Sequence, residues 1–175
     1  MSKNIIALAG PPCSGKSAVG KILSLSLQAD FIDTDCVIQR ESGHSIEWIF
    51  SHRGENAFRA MEKRILAEII SGITGKTVIA LGGGALLDPD SRTLVDEKTI
   101  LFTLFASTET LTLRNRGNRP LAEDPAMLTK LIGQREEHYL SLGNPVNTEN
   151  RTPDQVALAV RRAALPLLSP QDRLS

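Results

Sequence analysis

Aromatic side chains are scarce, with five phenylalanines, one tyrosine and one tryptophan in 175 residues. That scarcity argues against the stacked aromatic platforms that hold single-stranded nucleic acid. A nucleotide base bound here would have to rest on an arginine or on aliphatic side chains. Cysteine is nearly absent, and Cys13 and Cys36 are too few for a disulfide framework. Net charge is missing as well: twenty Lys and Arg stand against twenty Asp and Glu. No bulk field draws the chain to nucleic acid or to an anionic membrane, so anion binding has to be local. No run approaches the roughly 20 apolar residues that span a bilayer, and no charged segment leads into a long apolar run at the start. The expectation is a cytoplasmic monomer with a small-molecule partner. Its length suits one domain over residues 1–165, with a loosely structured tail over 166–175 where Pro166 and Pro170 fall among polar residues.

Against these absences stands one unbroken motif. Residues 10–17, Gly-Pro-Pro-Cys-Ser-Gly-Lys-Ser, fill the pattern G-x-x-x-x-G-K-[ST] directly after the apolar run Ile5-Ile6-Ala7-Leu8-Ala9. An amphipathic stretch follows, with Val19, Ile22, Leu23 and Leu27 on one face. The pattern has a mechanism: a buried strand feeds a glycine loop whose N–H groups, with the start of the next helix, cradle phosphate oxygens. Gly10, Pro11, Pro12, Cys13, Ser14, Gly15, Lys16, Ser17 and Ala18 therefore form the candidate nucleotide-binding set. Lys16 would reach the outer phosphates and Ser17 would ligate Mg²⁺. Cys13 reads as a small reduced filler whose thiol a seated nucleotide would cover.

Apolar, β-rich runs recur at 4–9, 30–33, 77–81 and 99–105, with a weaker one at 145–148. Helical patterns lie over 16–28, 45–52, 55–71, 89–95, 107–115, 125–142 and 153–165. Alternation of this kind predicts right-handed crossovers and a three-layer α/β/α fold around a five-stranded parallel sheet. Ligands in such folds sit at the carboxyl ends of the strands. Four unusual clusters fall there: the phosphate loop, Asp33 with Asp35, Gly82-Gly83-Gly84, and the stretch after 145.

Asp33 and Asp35, read as a strand end, would point to one side about 7 Å apart at the backbone, one serving a metal and one facing a substrate. Arg59 and Glu62 lie i, i+3 on the helix that Gly54-Glu55 opens. They are either a surface ion pair contributing about 0 to 1 kcal/mol or an arginine oriented to grip a carboxylate. Arg135 sits in the apolar stripe of the 125–142 helix, where an arginine must be paired or must snorkel outward. Gly82-Gly83-Gly84 permits close backbone approach to a ligand or is simply a turn. The segment from Asn115 to Leu121 is polar, basic and broken by Gly117 and Pro120. It is either a charged surface loop or a lid over about 114–124, closing on ATP with Arg119 against the transferring phosphoryl group. The three histidines, at 44, 52 and 138, lack metal-ligand spacing.

Taken in order along the chain, the phosphate loop, Phe31-Ile32-Asp33-Thr34-Asp35, Gly54-Glu55-Asn56-Ala57-Phe58-Arg59, the glycine triplet, Arg119-Pro120-Leu121, and Arg135 with Tyr139 resemble the shikimate kinase family. The resemblance covers about residues 5–160 and implies a phosphate-loop kinase fold with a mobile lid. It implies ATP and Mg²⁺ as cofactors, served by Lys16, Ser17 and Asp33, with Arg114 on the adenine face and Arg119 in the lid. It further implies that Asp35, Arg59, Gly83 and Arg135 hold shikimate, Asp35 at the reactive hydroxyl and the two arginines on the carboxylate. The chain departs from the family in carrying Leu121-Ala122 after the lid proline and Pro11-Pro12-Cys13 in the phosphate loop, and in a short loop between Arg114 and Arg119. Two rival readings are a kinase for another hydroxylated acid, such as gluconate, and a nucleotide-sensing module without transfer chemistry. A second anion site at Asp35, Arg59 and Arg135 argues against the sensor.

Overall fold

The protein, a computed structural model, is described over residues 3–115 and 125–169. The apolar runs become five parallel strands: β1 Ile5–Ala9, β2 Asp30–Asp33, β3 Thr77–Ala80, β4 Ile100–Phe105 and β5 Pro145–Asn147. Their spatial order is β2-β3-β1-β4-β5. β1 and β3 are buried along their whole length, as parallel strands covered on both faces must be. Successive side chains point to opposite faces. Ile6 and Leu8 thus join an apolar layer with Val19, Leu23 and Val160, whereas Ile5, Ala7 and Ala9 join another with Leu66, Ile70 and Val95. The first layer is built by α1 Lys16–Leu27 and α8 Pro153–Ala164. The second is built by α3 Ile46–Gly72, α4 Pro89–Lys98 and α7 Glu136–Leu140. This is the three-layer α/β/α arrangement that the alternation predicts.

Helix starts follow local chemistry. Asp88 accepts a hydrogen bond from Ser91 N at 2.9 Å with Pro89 in the first turn of α4. Thr152 and Gln155 cap the start of α8 reciprocally, each side chain taking the other's N–H. Inside α3, Gly54 at φ 79° and ψ 167° breaks the helical path, which separates the two helical patterns read over 45–52 and 55–71. On the first of these segments Trp48 is stacked between His44 and His52, with ring centroids 3.6 and 4.3 Å apart. Among the described residues no helix is long and apolar enough to cross a membrane.

Three expectations are corrected. The second strand stops at Asp33, whose carboxylate accepts from Asp35 N and Cys36 N at 3.1 and 3.3 Å and so caps a helix absent from the sequence reading, α2 Thr34–Ser42. The expected 125–142 helix is two, α6 Pro125–Gln134 and α7, with Arg135 at φ −114° and ψ 7° between them. Arg135 therefore stands half-buried at a corner rather than within a continuous apolar stripe. Within the segment expected as a loose tail, Pro166 and Leu167 are exposed but the next two residues are packed. Leu168 and Ser169 are buried, and Leu168 pairs with Lys3 in a parallel bridge.

Gly20, in the middle of α1, leaves room for the Phe31 ring: a Cβ there would lie 2.5 Å from a ring carbon. Gly20→Ala gains about 1 kcal/mol of helix propensity but overpacks that contact, which costs about 1–3 kcal/mol. The variant is expected to be net destabilised, by up to about 2 kcal/mol, in a urea unfolding curve. Unchanged or raised stability would mean that the ring swings aside freely.

Candidate active site

The phosphate loop leaves β1 through Gly10, whose φ of 135° and position admit no side chain, since a Cβ would lie 2.1 Å from the Leu104 carbonyl oxygen. The loop then turns through Cys13 at φ 64° and ends on Gly15, the N-cap of α1 at φ 97°. Lys16 folds back over it, its buried Nζ donating to the Gly10 and Pro11 carbonyls, each at 2.9 Å. Ser17 Oγ donates to Asp33 Oδ2 at 2.5 Å. The other Asp33 oxygen is the α2 cap, so the carboxylate is held from both sides with one oxygen aimed at Ser17. Two hard oxygens at this point suit Mg²⁺, which takes one or two protein ligands and completes its shell with phosphate and water. A cleft of about 350 Å³ opens above, lined among others by Lys16, Ser17, Asp33, Asp35 and Arg114.

Because Asp35 lies in the first turn of α2 and not on the strand, the two carboxylates diverge. Asp33 faces the phosphate loop, whereas Asp35 turns to the glycine triplet. A Cβ on Gly82 would lie 2.8 Å from Asp35 Oδ1 and 2.5 Å from Glu62 Oε1, and one on Gly84 would lie 2.7 Å from Arg59 Nη1. The triplet is thus a side-chain-free shelf against which three charged groups are laid. Thr34 stitches the shelf to α2, accepting from Gly82 N at 2.9 Å and donating to the Ala80 carbonyl at 3.3 Å. Tyr139 holds it from the other side, its hydroxyl donating to the Gly83 carbonyl at 2.7 Å. Pro12 of the phosphate loop packs on Gly83 itself.

Arg59 and Glu62 are no ordinary surface pair. Arg59 Nη1 donates to Glu62 Oε2 at 2.6 Å, and the Glu62 side chain is 5% exposed. Arg59 also reaches Glu55 at 3.3 Å, so its guanidinium is oriented by two carboxylates. Burial pushes the Glu62 carboxyl above its ordinary value, opposed by the Arg59 charge and hydrogen bond and reinforced by the Asp35 charge. Burial likewise raises Tyr139, against the charge and hydrogen bond of Arg135. Arg135 accordingly joins this cluster from the α6–α7 corner. Arg59, Asp35, Gly83 and Arg135 are brought together, and the phosphate-loop residues adjoin them. Arg119 and most of the expected lid lie outside the described residues.

Sequence reasoning named Arg114 and quoted Tyr139 but missed the partners that fix them. Arg114, at the end of α5 Thr108–Arg114, is held by Thr148: Nη1 donates to its hydroxyl at 2.9 Å and Nη2 to its carbonyl at 2.6 Å. Beside the phosphate loop these residues line a narrow slot of about 130 Å³ with Arg151 and Pro153. The cluster after 145 pointed to the place, but no motif pointed to Thr148, Arg151 or Pro153. Tyr139 was visible as a family match without a role, and its grip on Gly83 depends on the fold. Among the described residues no group of three or more His, Cys, Asp or Glu side chains could hold a metal ion.

Glu62→Gln removes the raised ionisation. The folded chain holds the Glu62 proton more tightly than the unfolded chain, whose carboxyl has the ordinary value of 4.5. The contribution of this group is therefore complete below that value and is lost as pH rises through the folded one. The stability of the natural chain relative to the variant is expected to decline with rising pH. Urea midpoints of both proteins between about pH 4 and 8 check this, and a difference that grew with pH would contradict it.

The profile of the family described as shikimate kinase matches residues 12–164. The shikimate kinase of Hahella chejuensis is 37% identical over 161 residues, spanning 89% of this chain and 83% of that protein. The shikimate kinase of Francisella tularensis subsp. novicida is 38% identical over 154 residues, spanning 85% and 86%. In structure the chain is similar to the shikimate kinase from Acinetobacter baumannii in complex with shikimate, with a TM-score of 0.86 and 29% identity over 94% of each chain. Profile, relatives and backbone agree over nearly the same span, and the chain belongs to the shikimate kinase family.

Proposed function

We infer that the chain transfers the γ-phosphoryl group of ATP to the 3-hydroxyl of shikimate, giving shikimate 3-phosphate and ADP on the way to chorismate and the aromatic amino acids. One observation carries the assignment of roles to residues: Asp35 borders both the phosphate-loop cleft and the shelf on which Arg59 is laid. A nucleotide held by the loop and an acid held by the arginines would meet at this carboxylate.

The chemistry follows from position and charge. The substrate carboxylate would lie across Arg59 and Arg135, Arg59 being oriented beforehand by Glu62 and Glu55. Its ring would rest on the bare backbone at Gly83, leaving the 3-hydroxyl to donate to Asp35. In-line transfer needs little covalent help from the protein, so positioning and electrostatic stabilisation supply most of the rate. Asp35 would accept the hydroxyl proton as the oxygen attacks. Lys16 would turn its ammonium from the loop carbonyls toward the outer phosphate oxygens, and Arg119 would add positive charge from the lid segment. Ser17 and Asp33 would hold Mg²⁺, which supplies charge neutralisation on the phosphoryl oxygens. The adenine would enter the slot beside the loop, one face on Arg114, as a chain poor in aromatics requires.

ADP release measured with shikimate, with gluconate and with neither tests substrate and reaction together. Release is expected with shikimate alone, and equal rates in all three would overturn the assignment. Asp35→Asn is expected to lower kcat by about 10²- to 10⁴-fold with ADP affinity little changed, since only the proton acceptor is lost. Near-normal turnover would remove Asp35 from its role. Cys13 borders both cavities, with its thiol 3.6 Å from Asn115 Oδ1. ATP at ten times its Kd is expected to slow iodoacetamide labelling of Cys13 by about tenfold. Labelling that ignored ATP would place the nucleotide elsewhere.

A further inference from the structure

Helix α5 is only 7 residues long, and among its residues Leu111 alone is buried, packed on Leu128 and Ile132 of α6. One apolar anchor fixes where such a helix sits but leaves it able to pivot. Beside a weak contact of Thr112 with Thr129 of α6 at 3.5 Å, two stronger polar links resist the pivot, both reaching the loop that follows β5. At the C-terminal end Arg114 grips Thr148. At the N-terminal end the exchange is reversed, and the loop sends Glu149 to the helix. One Glu149 oxygen accepts from Ser107 N at 2.7 Å, and the other accepts from Ser107 Oγ at 3.1 Å and from Thr110 Oγ1. The carboxylate thereby satisfies donors at the helix start and complements its dipole. The loop is stiff where it makes these links: Thr148 N donates to the Phe105 carbonyl at 2.8 Å and Glu149 N to Asn147 Oδ1 at 2.8 Å.

We propose that Glu149 is a positioning residue for the nucleotide base, tying the loop after β5 to α5 and so setting the gap between Arg114 on one wall of the slot and Arg151 and Pro153 on the other. The inference rests on the reading of that slot as the base site. Thr110 lies about one helical turn before Arg114 on the same element, so freeing the N-terminal end of α5 displaces the guanidinium at its C-terminal end. The phosphate loop makes no hydrogen bond to Glu149: Lys16 and Ser17 bond within the loop and to Asp33, and it is Cys13 that reaches this region, through a weak contact with Asn115 and by packing beside Leu111. Glu149 thus acts on the base end of a nucleotide and leaves the phosphate end alone. The hydrogen bonds from Thr110 and Ser107 also hold the carboxyl below its ordinary value, as a carboxylate accepting several donors should be.

The test compares two probes that share phosphates and differ in the base. Calorimetric affinities of ADP and of inorganic triphosphate are measured for the natural chain, Glu149→Ala and Glu149→Gln. In Glu149→Ala, ADP is expected to bind about tenfold more weakly while inorganic triphosphate and shikimate bind as before. Glu149→Gln keeps an acceptor on the helix and is expected to recover most of the loss, and KM for ATP should follow the same order with kcat at saturation little moved. Undiminished ADP affinity in Glu149→Ala would overturn the proposal. So would a parallel loss for ADP and inorganic triphosphate, because general distortion of the site affects both. If the natural chain itself binds inorganic triphosphate as tightly as ADP, the reading of the slot as a base site falls first.

Discussion

The acceptor half of this site depends on carbon that is missing. At Gly82 and Gly84 a single methyl group would collide with the Asp35, Glu62 and Arg59 side chains, so these three charged groups can lie together only because the backbone beneath them is bare. Close approach also keeps Glu62 out of water, which is why burial dominates its carboxyl despite an arginine at hydrogen-bonding distance. A buried pair of this kind adds little to stability by itself. What it supplies is a guanidinium with a fixed orientation, so that less freedom would be lost if it took an anion.

The two halves of the site are joined through the first turn of α2. Asp33 ends β2, caps that helix with one oxygen and meets Ser17 with the other. Thr34 bonds the glycine shelf, and Asp35 lies over it. Three consecutive residues therefore address the phosphate loop, the backbone of the shelf and the space above it in turn. Helical geometry, which turns each residue by about 100°, separates their directions, whereas a strand would have sent Asp33 and Asp35 the same way.

What could be read from the chain, and what could not, divides along the same physical line. The strands and the phosphate loop were legible because their signals are local: apolar runs, glycines at both ends of the loop and a lysine beside a serine. The pairing of Arg59 with Glu62 was legible from spacing, but its burial was not, since the cover comes from a glycine loop that lies well beyond the helix in the chain. The second helix was hidden because Thr34-Asp35-Cys36-Val37-Ile38 is poor in helix formers and rich in β-branched residues, and its start rests on one capping carboxylate. The break at Arg135 carries no proline, so the apolar pattern runs through it unmarked. Glu149 follows a weak strand and matches no motif. Its partners are about forty residues away, and only the fold brings them within reach.

One feature of the acceptor side bears on how the protein can be watched. The chain has a single tryptophan, and it is stacked between His44 and His52 on the helical segment that ends at Gly54, just before Arg59. Its fluorescence therefore comes from one place, a segment packed against Phe58, the neighbour of Arg59 in the chain. A movement of this segment against the sheet would alter the stacking and with it the emission, whereas events confined to the base slot would leave it dark to them. The molecule thus contains a native optical probe of this one segment.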